Sequence, residues 1–350
     1  MRKVIGIGET ILDIIFRHDN PTSAVPGGST FNTMISLGRA GVPATFVTDL
    51  GDDHVGTRIR TFMKDNGVDD AHVCIYPETQ SPVSLAFLDD TNSAHYEFYR
   101  QPFPEAELDL PDITADDIII FGSYYALNPL TRSRVSELLD RAHEAGAIII
   151  YDVNFRANHQ AEAVRLTGTL LENLEYADIV RGSSEDFLIL YGPQMVGRTA
   201  TFDSNIVYRD HVSFYCPRLL CTQGADGVDL HAGTLHKHYD SLPVDVVSTI
   251  GAGDSFNAGL IYGLLRSRIR RDDLDTLTEA DWDTVVRYAL AFSADTCASL
   301  ENYIRPRLPA LNHPPHSQRY VTFIHLRPTK SRRTEATSSC RAYLPSVGRE

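Results

Sequence analysis

The sequence predicts an α/β protein: a three-layer core in which helices cover both faces of a mostly parallel sheet, with a small second sheet projecting from it. Short strand-like runs alternate with helical patterns over roughly 300 of the 350 residues, the order expected of strands joined by crossover helices. The runs are continuously apolar, as in Asp117-Ile118-Ile119-Ile120-Phe121 and Ala147-Ile148-Ile149-Ile150-Tyr151, which suits strands buried on both faces. Two stretches, Thr10 to Arg17 and Val83 to Arg100, instead alternate apolar and polar residues, most clearly in Ala94-His95-Tyr96-Glu97-Phe98-Tyr99-Arg100. A period of two marks a small antiparallel sheet with one wet face, and such a sheet on an α/β core is a natural lid over a cleft.

Taken in order, Lys3 to Gly8 reads as the first buried strand, and Gly27-Gly28-Ser29-Thr30 opens a helix over Phe31 to Ala40. Ala44 to Leu50 follows as a strand and His54 to Asn66 as a helix. The two isoleucine-rich strands flank a helix over Leu130 to Ala145 that closes on Gly146. Ile179 to Arg181, Arg218 to Thr222 and Val244 to Val247 read as further strands, and Ser255 to Leu265 and Asp281 to Ser299 as the last helices. The core domain spans residues 1–304. From Arg305 onward the composition changes to nine Lys/Arg against two Glu with several prolines and no period, the pattern of a disordered or atypical extension.

Composition excludes several classes. A net charge of −14 argues against a nucleic-acid partner, whose phosphates need a basic surface, yet backbone amides bind phosphate inside acidic proteins. No uninterrupted apolar run reaches the length of a membrane span. Five scattered cysteines, Cys74, Cys216, Cys221, Cys297 and Cys340, form no CxxC pair and suit a reducing cytoplasm. Glu9 and Asp13 interrupt the apolar amino-terminal run, which therefore reads as a strand and not as a signal peptide. The GxxxxGK[ST] of a P-loop kinase is missing, as is the third glycine a dinucleotide fold needs after Gly6 and Gly8.

Two segments carry the chemistry. In Ser248-Thr249-Ile250-Gly251-Ala252-Gly253-Asp254-Ser255-Phe256-Asn257-Ala258-Gly259 a predicted strand runs through a small-residue turn into a helix. Unpaired N–H groups at such a helix start form an anion site, and Asp254 beside it is placed to take a proton from an attacking hydroxyl. A plain strand–helix turn with Asp254 as N-cap fits the same residues. In Gly27-Gly28-Ser29-Thr30-Phe31-Asn32, Asn32 brings both a donor and an acceptor to a loop–helix junction, which suits sugar hydroxyls.

Together these segments resemble the two signature regions of the ribokinase-like (PfkB-type) carbohydrate kinases, and the likeness runs from Lys3 to about Ile304. Further landmarks fall in that family's order: Gly8 and Asp13, Gly51-Asp52-Asp53-His54-Val55-Gly56, Asp152-Val153-Asn154-Phe155-Arg156, Ser183 to Asp186, and Thr222-Gln223-Gly224-Ala225-Asp226-Gly227. The resemblance implies ATP-dependent phosphorylation of a sugar hydroxyl, with Asp254 as base and Gly251, Ala252 and Gly253 as the anion hole. It implies sugar ligands in Asp13, Gly28 and Asn32, with Gly27 shaping their loop, and a nucleotide loop in Thr222, Gly224 and Gly227, with Asn257 placed on the ATP side.

Arg100 and Arg156 are the cationic candidates near the cleft, and Asn154 joins Arg156 just past a predicted strand end, where ligands of open α/β sheets gather. Arg156 suits a phosphate oxygen or a surface ion pair equally. Glu185 and Asp186 offer oxygen ligands for a hydrated Mg²⁺, or simply a charged helix start. The family's usual Asn-x-x-Glu there reads Ser183-Ser184-Glu185-Asp186. Ser248 stands where the family commonly has the aspartate of a monovalent-cation site, which leaves K⁺ dependence open. The opening Gly8-Glu9-Thr10-Ile11-Leu12-Asp13 and the GGSTFN segment look most like the fructokinase-type branch, so fructose is the first substrate expected. Ribose, 2-keto-3-deoxygluconate or a nucleoside is the alternative substrate, and a sugar-binding regulatory pseudokinase the alternative of another class. Members of this family often dimerise through the lid, and the apolar residues of its strands favour a homodimer here.

Overall fold

The apolar runs pair side by side into one large sheet. The first third of the chain supplies β1 (Val4–Ile7), β2 (Ile11–Arg17), β3 (Asn20–Gly27), α1 (Ser29–Arg39), β4 (Ala44–Gly51) and α2 (His54–Asp65), then β5 (Val68–Asp69), β6 (Val73–Tyr76), β7 (Val83–Leu88) and β8 (Ala94–Tyr99). The middle supplies β9 (Ile118–Gly122), α3 (Arg132–Ala145), β10 (Ile148–Asp152), α4 (Ala163–Tyr176), β11 (Ile179–Ser183) and α5 (Ser184–Tyr191). The last part supplies α6 (Ser204–Val207), β12 (Arg218–Thr222), β13 (Val228–Ala232), β14 (Leu235–Tyr239), α7 (Ala252–Arg266) and α8 (Glu279–Cys297). The structure, a computed structural model, describes residues 2–88, 94–104, 109–192 and 202–306. Apart from Arg305 and Pro306, the basic stretch 305–350 lies outside them.

The large sheet runs in the order β14-β13-β12-β11-β10-β9-β1-β4-β5, with β6 also pairing β4. From β4 to β12 neighbouring strands are parallel, and β13 and β14 return antiparallel at one edge. The isoleucine triplets of β9 and β10 lie in register, Ile118 beside Ile148 and Ile120 beside Ile150. Alternate residues of each triplet enter opposite cores, because successive side chains of a strand point to opposite faces. Ile118, Ile120, Ile148 and Ile150 pack with α1, α2, α7 and α8, whereas Ile119 and Ile149 pack with α3 and α4. Sequence-local signals end the helices. Gly146 closes α3 in the left-handed conformation, and Asp53 caps α2 by accepting from Gly56 N at 2.7 Å.

The second sheet has the order β3-β2-β7-β8. Both outer pairings are antiparallel, but β2 and β7 run parallel, so the sheet is mixed and not purely antiparallel as its alternation suggests. Period two fixes which side chains share a face, not strand direction. The register puts Asp13, Ser84 and Phe98 in one cross-strand row and Ile15, Ala86 and Tyr96 in the next. The opposite face carries Ile14, Phe16, Leu85 and Phe87, with Phe16 stacked on Phe87 at 4.9 Å between ring centroids.

One expected strand does not form. Val244–Val247 is coil, with Val246 and Val247 more than half exposed. The run joins no strand ladder among the described residues. Instead Val247 N donates to the carbonyl of Cys297 at the end of α8, at 2.8 Å. Strand propensity without a neighbouring ladder does not make a strand.

Candidate active site

The Gly251 turn leads directly into α7. Gly251 occupies the N-cap position with φ 77° and ψ 0°, a left-handed conformation that favours glycine. A side chain would also not fit, since a Cβ there would lie 2.1 Å from the Asn302 carbonyl oxygen. The helix therefore begins at Ala252, and Asp254 is its third residue, not its N-cap as one reading of the sequence has it. Ala252 N turns back to Thr249 O at 3.2 Å, while helix geometry leaves the Gly253 and Asp254 N–H groups without intrahelical acceptors.

Helix α1 brings the partners of Asp254. Its start lies against Glu9 because Gly28, with φ 130°, allows a backbone approach that a Cβ 2.4 Å from Glu9 O would block. From this helix Ser29 Oγ lies 2.9 Å from Asp254 Oδ1, Asn32 Nδ2 donates to Asp254 Oδ2 at 2.8 Å, and Thr33 Oγ1 donates to the Asp254 carbonyl at 3.0 Å. Asn32 Oδ1 is buried without a partner among the described residues, an acceptor ready for a hydroxyl. Ser29 Oγ also lies 3.0 Å from Asp152 Oδ2 at the end of β10. One hydroxyl proton cannot serve both carboxylates fully, so Asp152 and Asp254 share Ser29 as a common neighbour.

Asp254, only 8% exposed, is pushed up to about 6, first by burial and then by the nearby Asp152 carboxylate. Asn32, Arg156 and Ser29 oppose that rise. A carboxylate with this value, in the first turn of a helix and hydrogen-bonded by Asn32, has the chemistry to remove a proton from a hydroxyl near neutral pH.

The pfkB family carbohydrate kinase profile matches residues 1–303. The chain belongs to that family. It is an enzyme, a sugar kinase. The kinase is 28% identical over 323 residues to the probable fructokinase-6, chloroplastic, of Arabidopsis thaliana, covering 88% of this chain and 79% of that protein. Aminoimidazole riboside kinase from Salmonella enterica, solved with aminoimidazole riboside and an ATP analog, superposes with a TM-score of 0.70 at 25% identity, over 85% of this chain and 94% of that one. Fructokinase from Vibrio cholerae, solved with fructose, ADP and calcium, gives a TM-score of 0.73 at 22% identity over 86% and 94%.

The kinase fold also collects most of the other residues singled out in the sequence. Asp13 lies in the lid sheet, hydrogen-bonded by Ser84 and pushed up by burial. It touches the GG loop, since a Cβ on Gly27 would lie 2.7 Å from Asp13 Oδ2. Arg100, just past β8, has Nη1 3.4 Å from Glu9 Oε2 and sits over the Phe98 and Tyr124 rings. Arg156 is exposed, its side chain makes no hydrogen bond or ion pair among the described residues, and it acts electrostatically on both Asp254 and Tyr96. Asn154 is buried with φ 33°, a conformation that asparagine tolerates better than most residues. Thr222 ends β12, and Gly224 and Gly227 bound the turn that follows it.

Asn257 and Asp186 are placed differently. Asn257 is fully buried on α7, neither amide atom partnered among the described residues, so it does not reach the cleft surface. Asp186 Oδ2 accepts from Ser183 N and Ser183 Oγ, forming the capping box of α5, while Glu185 beside it is exposed. Ser29, Asp152 and Arg181 were missed as site residues in the sequence. Arg181 left a readable signal: a charge inside the apolar strand Ile179-Val180-Arg181-Gly182 has to be paired once buried.

Proposed function

We propose that this kinase transfers the terminal phosphoryl group of ATP to a hydroxyl of a small sugar, fructose first, with Asp254 as general base. One observation carries the reading: the buried Asp254 carboxylate, raised to about 6, lies in the first turn of a helix opened by the left-handed Gly251. The solved complexes with fructose and ADP, and with an ATP analog, support the pairing of a sugar with a nucleotide. In this reading Asp13, Gly28 and Asn32 orient the sugar, with Gly27 and Asn154 shaping the walls. Asp254 takes the proton of the attacking hydroxyl, and the Gly251-Ala252-Gly253 turn, chiefly through the Gly253 and Asp254 N–H groups, meets the charge on the phosphoryl oxygens. Thr222, Gly224 and Gly227 line the nucleotide side. Arg156, uncommitted to any carboxylate, is placed to meet a phosphate oxygen, and Arg100 to meet the sugar from the lid.

Magnesium would neutralise phosphate charge. Among the described residues no three His, Cys, Asp or Glu side chains converge to hold an ion unaided. A largely hydrated ion leaning on the nucleotide, with exposed Glu185 nearby and Asp186 committed to its cap, is what these donors fit. The lid's outer apolar face, Ile14, Phe16, Leu85 and Phe87, supports a homodimer formed through this sheet. The kinase has no helix among its described residues long and apolar enough to cross a membrane, and we place its activity in the cytoplasm.

An ADP-release assay across fructose, ribose, 2-keto-3-deoxygluconate and aminoimidazole riboside tests the assignment. Turnover with fructose at least tenfold above the others in kcat/KM is expected. A preference for the riboside would move the protein to the second substrate class suggested by its Salmonella relative. ATP binding with no turnover on any sugar would favour a regulatory role.

A further inference from the structure

Strand β11 buries a cation at the centre of this arrangement. Arg181 is 6% exposed, and it lies beside Asp152 in the parallel register of β10 and β11. Its Nη1 donates to Asp152 Oδ1 at 3.0 Å and its Nη2 to Thr222 Oγ1 at 2.8 Å. Nε is buried with no partner among the described residues. A Cβ built on Gly253 would lie 2.7 Å from Nη2 and 3.0 Å from Nη1, so the guanidinium is pressed against the backbone of the turn. Asp152 connects onward through Ser29 to Asp254. One side chain thus touches the strand end of the nucleotide loop, the turn, and the carboxylate next to the base.

Burying an ion pair in a sheet is a weak way to gain stability, since well-packed apolar residues often do as well. Its location offers a better reason. Negative charge developing at the turn would be felt strongly by a fixed cation a few ångströms behind it, where water does not screen. The planar fork of arginine donates to Asp152 from one nitrogen and to Thr222 from the other, a two-point geometry that the single ammonium of lysine does not reproduce. The charges acting on Arg181 are Asp152, Asp186 and Asp254, all attractive, and Arg156 acts on Asp254 from the open side.

We propose that Arg181 is a positioning residue for phosphoryl transfer, holding Asp152 and Thr222 in place and keeping a permanent positive charge beneath the Gly251–Gly253 turn. This rests on the kinase reading of that turn. Two variants separate charge from packing: Arg181→Met removes the cation and the fork, and Arg181→Lys keeps the cation alone. Both are measured for kcat, KM for ATP and thermal unfolding between pH 5 and pH 9.

For Arg181→Met, kcat should fall about 10²-fold. Its acid limb should move up by about one pH unit, because losing a nearby cation makes the Asp254 carboxylate hold its proton more tightly. Its melting deficit should widen as pH rises through about 6 and Asp254 ionises with no buried cation behind it. Arg181→Lys should keep the parent acid limb while KM for ATP rises severalfold. A methionine variant with the parent acid limb and a pH-independent melting deficit would reduce Arg181 to a structural residue. Should that variant not fold, the lysine variant decides, and unchanged kcat and KM at every pH would overturn the proposal. Should the parent protein phosphorylate no sugar, the kinase reading fails separately. The unfolding series then decides the charge role by itself, a pH-independent deficit again overturning it.

Discussion

The side chain with most at stake is Asp254. It must be ionised to accept a proton, and its value of about 6 puts the loss of activity close to neutrality. kcat/KM should fall about tenfold per pH unit below 6 and level off above 7. Asp254→Asn should bind ATP normally yet lose roughly 10²–10⁴-fold in rate, and near-normal turnover would remove Asp254 from the mechanism. Stability should move the other way. Folding raises the Asp254 value, so the stability associated with its protonated form is present at low pH and lost as pH rises through about 6. The asparagine variant, which has no charge to bury, should therefore melt no lower than the parent at pH 8. A lower melting temperature for it at pH 8 than at pH 5, relative to the parent, would contradict burial as the main cause of the shift.

Among the elements, α3 is tied to β4 and β6 by a second buried ion pair. Arg134 Nη1 donates to Asp49 Oδ1 on β4 at 2.5 Å, and Nη2 donates to Tyr76 OH on β6 at 2.5 Å and to the Pro104 carbonyl at 3.1 Å. Tyr125 OH completes the cluster by donating to Asp49 Oδ2 at 3.2 Å. Both partners of the ion pair are more than nine-tenths buried, so removing one leaves the other uncompensated in the interior. Arg134→Met should cost about 3–5 kcal/mol in denaturant unfolding while leaving KM for ATP unchanged, because none of the proposed site residues takes part in the cluster. A loss below about 1 kcal/mol would mean that water reaches the pair. The tie to Pro104 also anchors the chain shortly after β8, so the lid strand returns to the core at a fixed point.

For the molecule as a whole, the proposed assembly rests on the lid. Its Asp13 row faces the Gly27-Gly28 loop, and Tyr96, which senses both Asp13 and Arg156, lies on that same face. The other face presents half-buried Ile14, Phe16, Leu85 and Phe87, and β3 and β8 remain as unpaired edges. A face of this kind on a four-stranded sheet needs a cover. Light scattering at micromolar protein should give twice the mass of the chain, and Phe16→Glu with Phe87→Glu should return it to the monomer with a raised KM for sugar. A parent protein that is monomeric and fully active would leave the lid as a simple flap.

The core strands β1, β4, β9, β10, β11 and β12 and the helices α1, α2, α3, α7 and α8 are legible because local patterns encode them, whereas β3, α4, α5, β13 and β14 are not. The isoleucine triplets, the Gly146 stop and the glycine turn at 251 each state a backbone requirement within a few residues. The small-residue motifs likewise marked Asp254 and Asn32 before any contact was known. Tertiary structure alone decided the rest. Val244–Val247 has the residues of a strand, but a strand needs a ladder, and here the backbone bonds to the Cys297 carbonyl at the end of α8 instead. Asp186 looks like a free carboxylate until the turn of α5 closes it onto Ser183. The chain Asp254–Ser29–Asp152–Arg181–Thr222 joins residues from five segments, with Ser29 and Asp254 alone separated by 225 positions. No local period can carry such a link, because burial, charge pairing and the raised value of Asp254 arise only when the sheet brings those segments together.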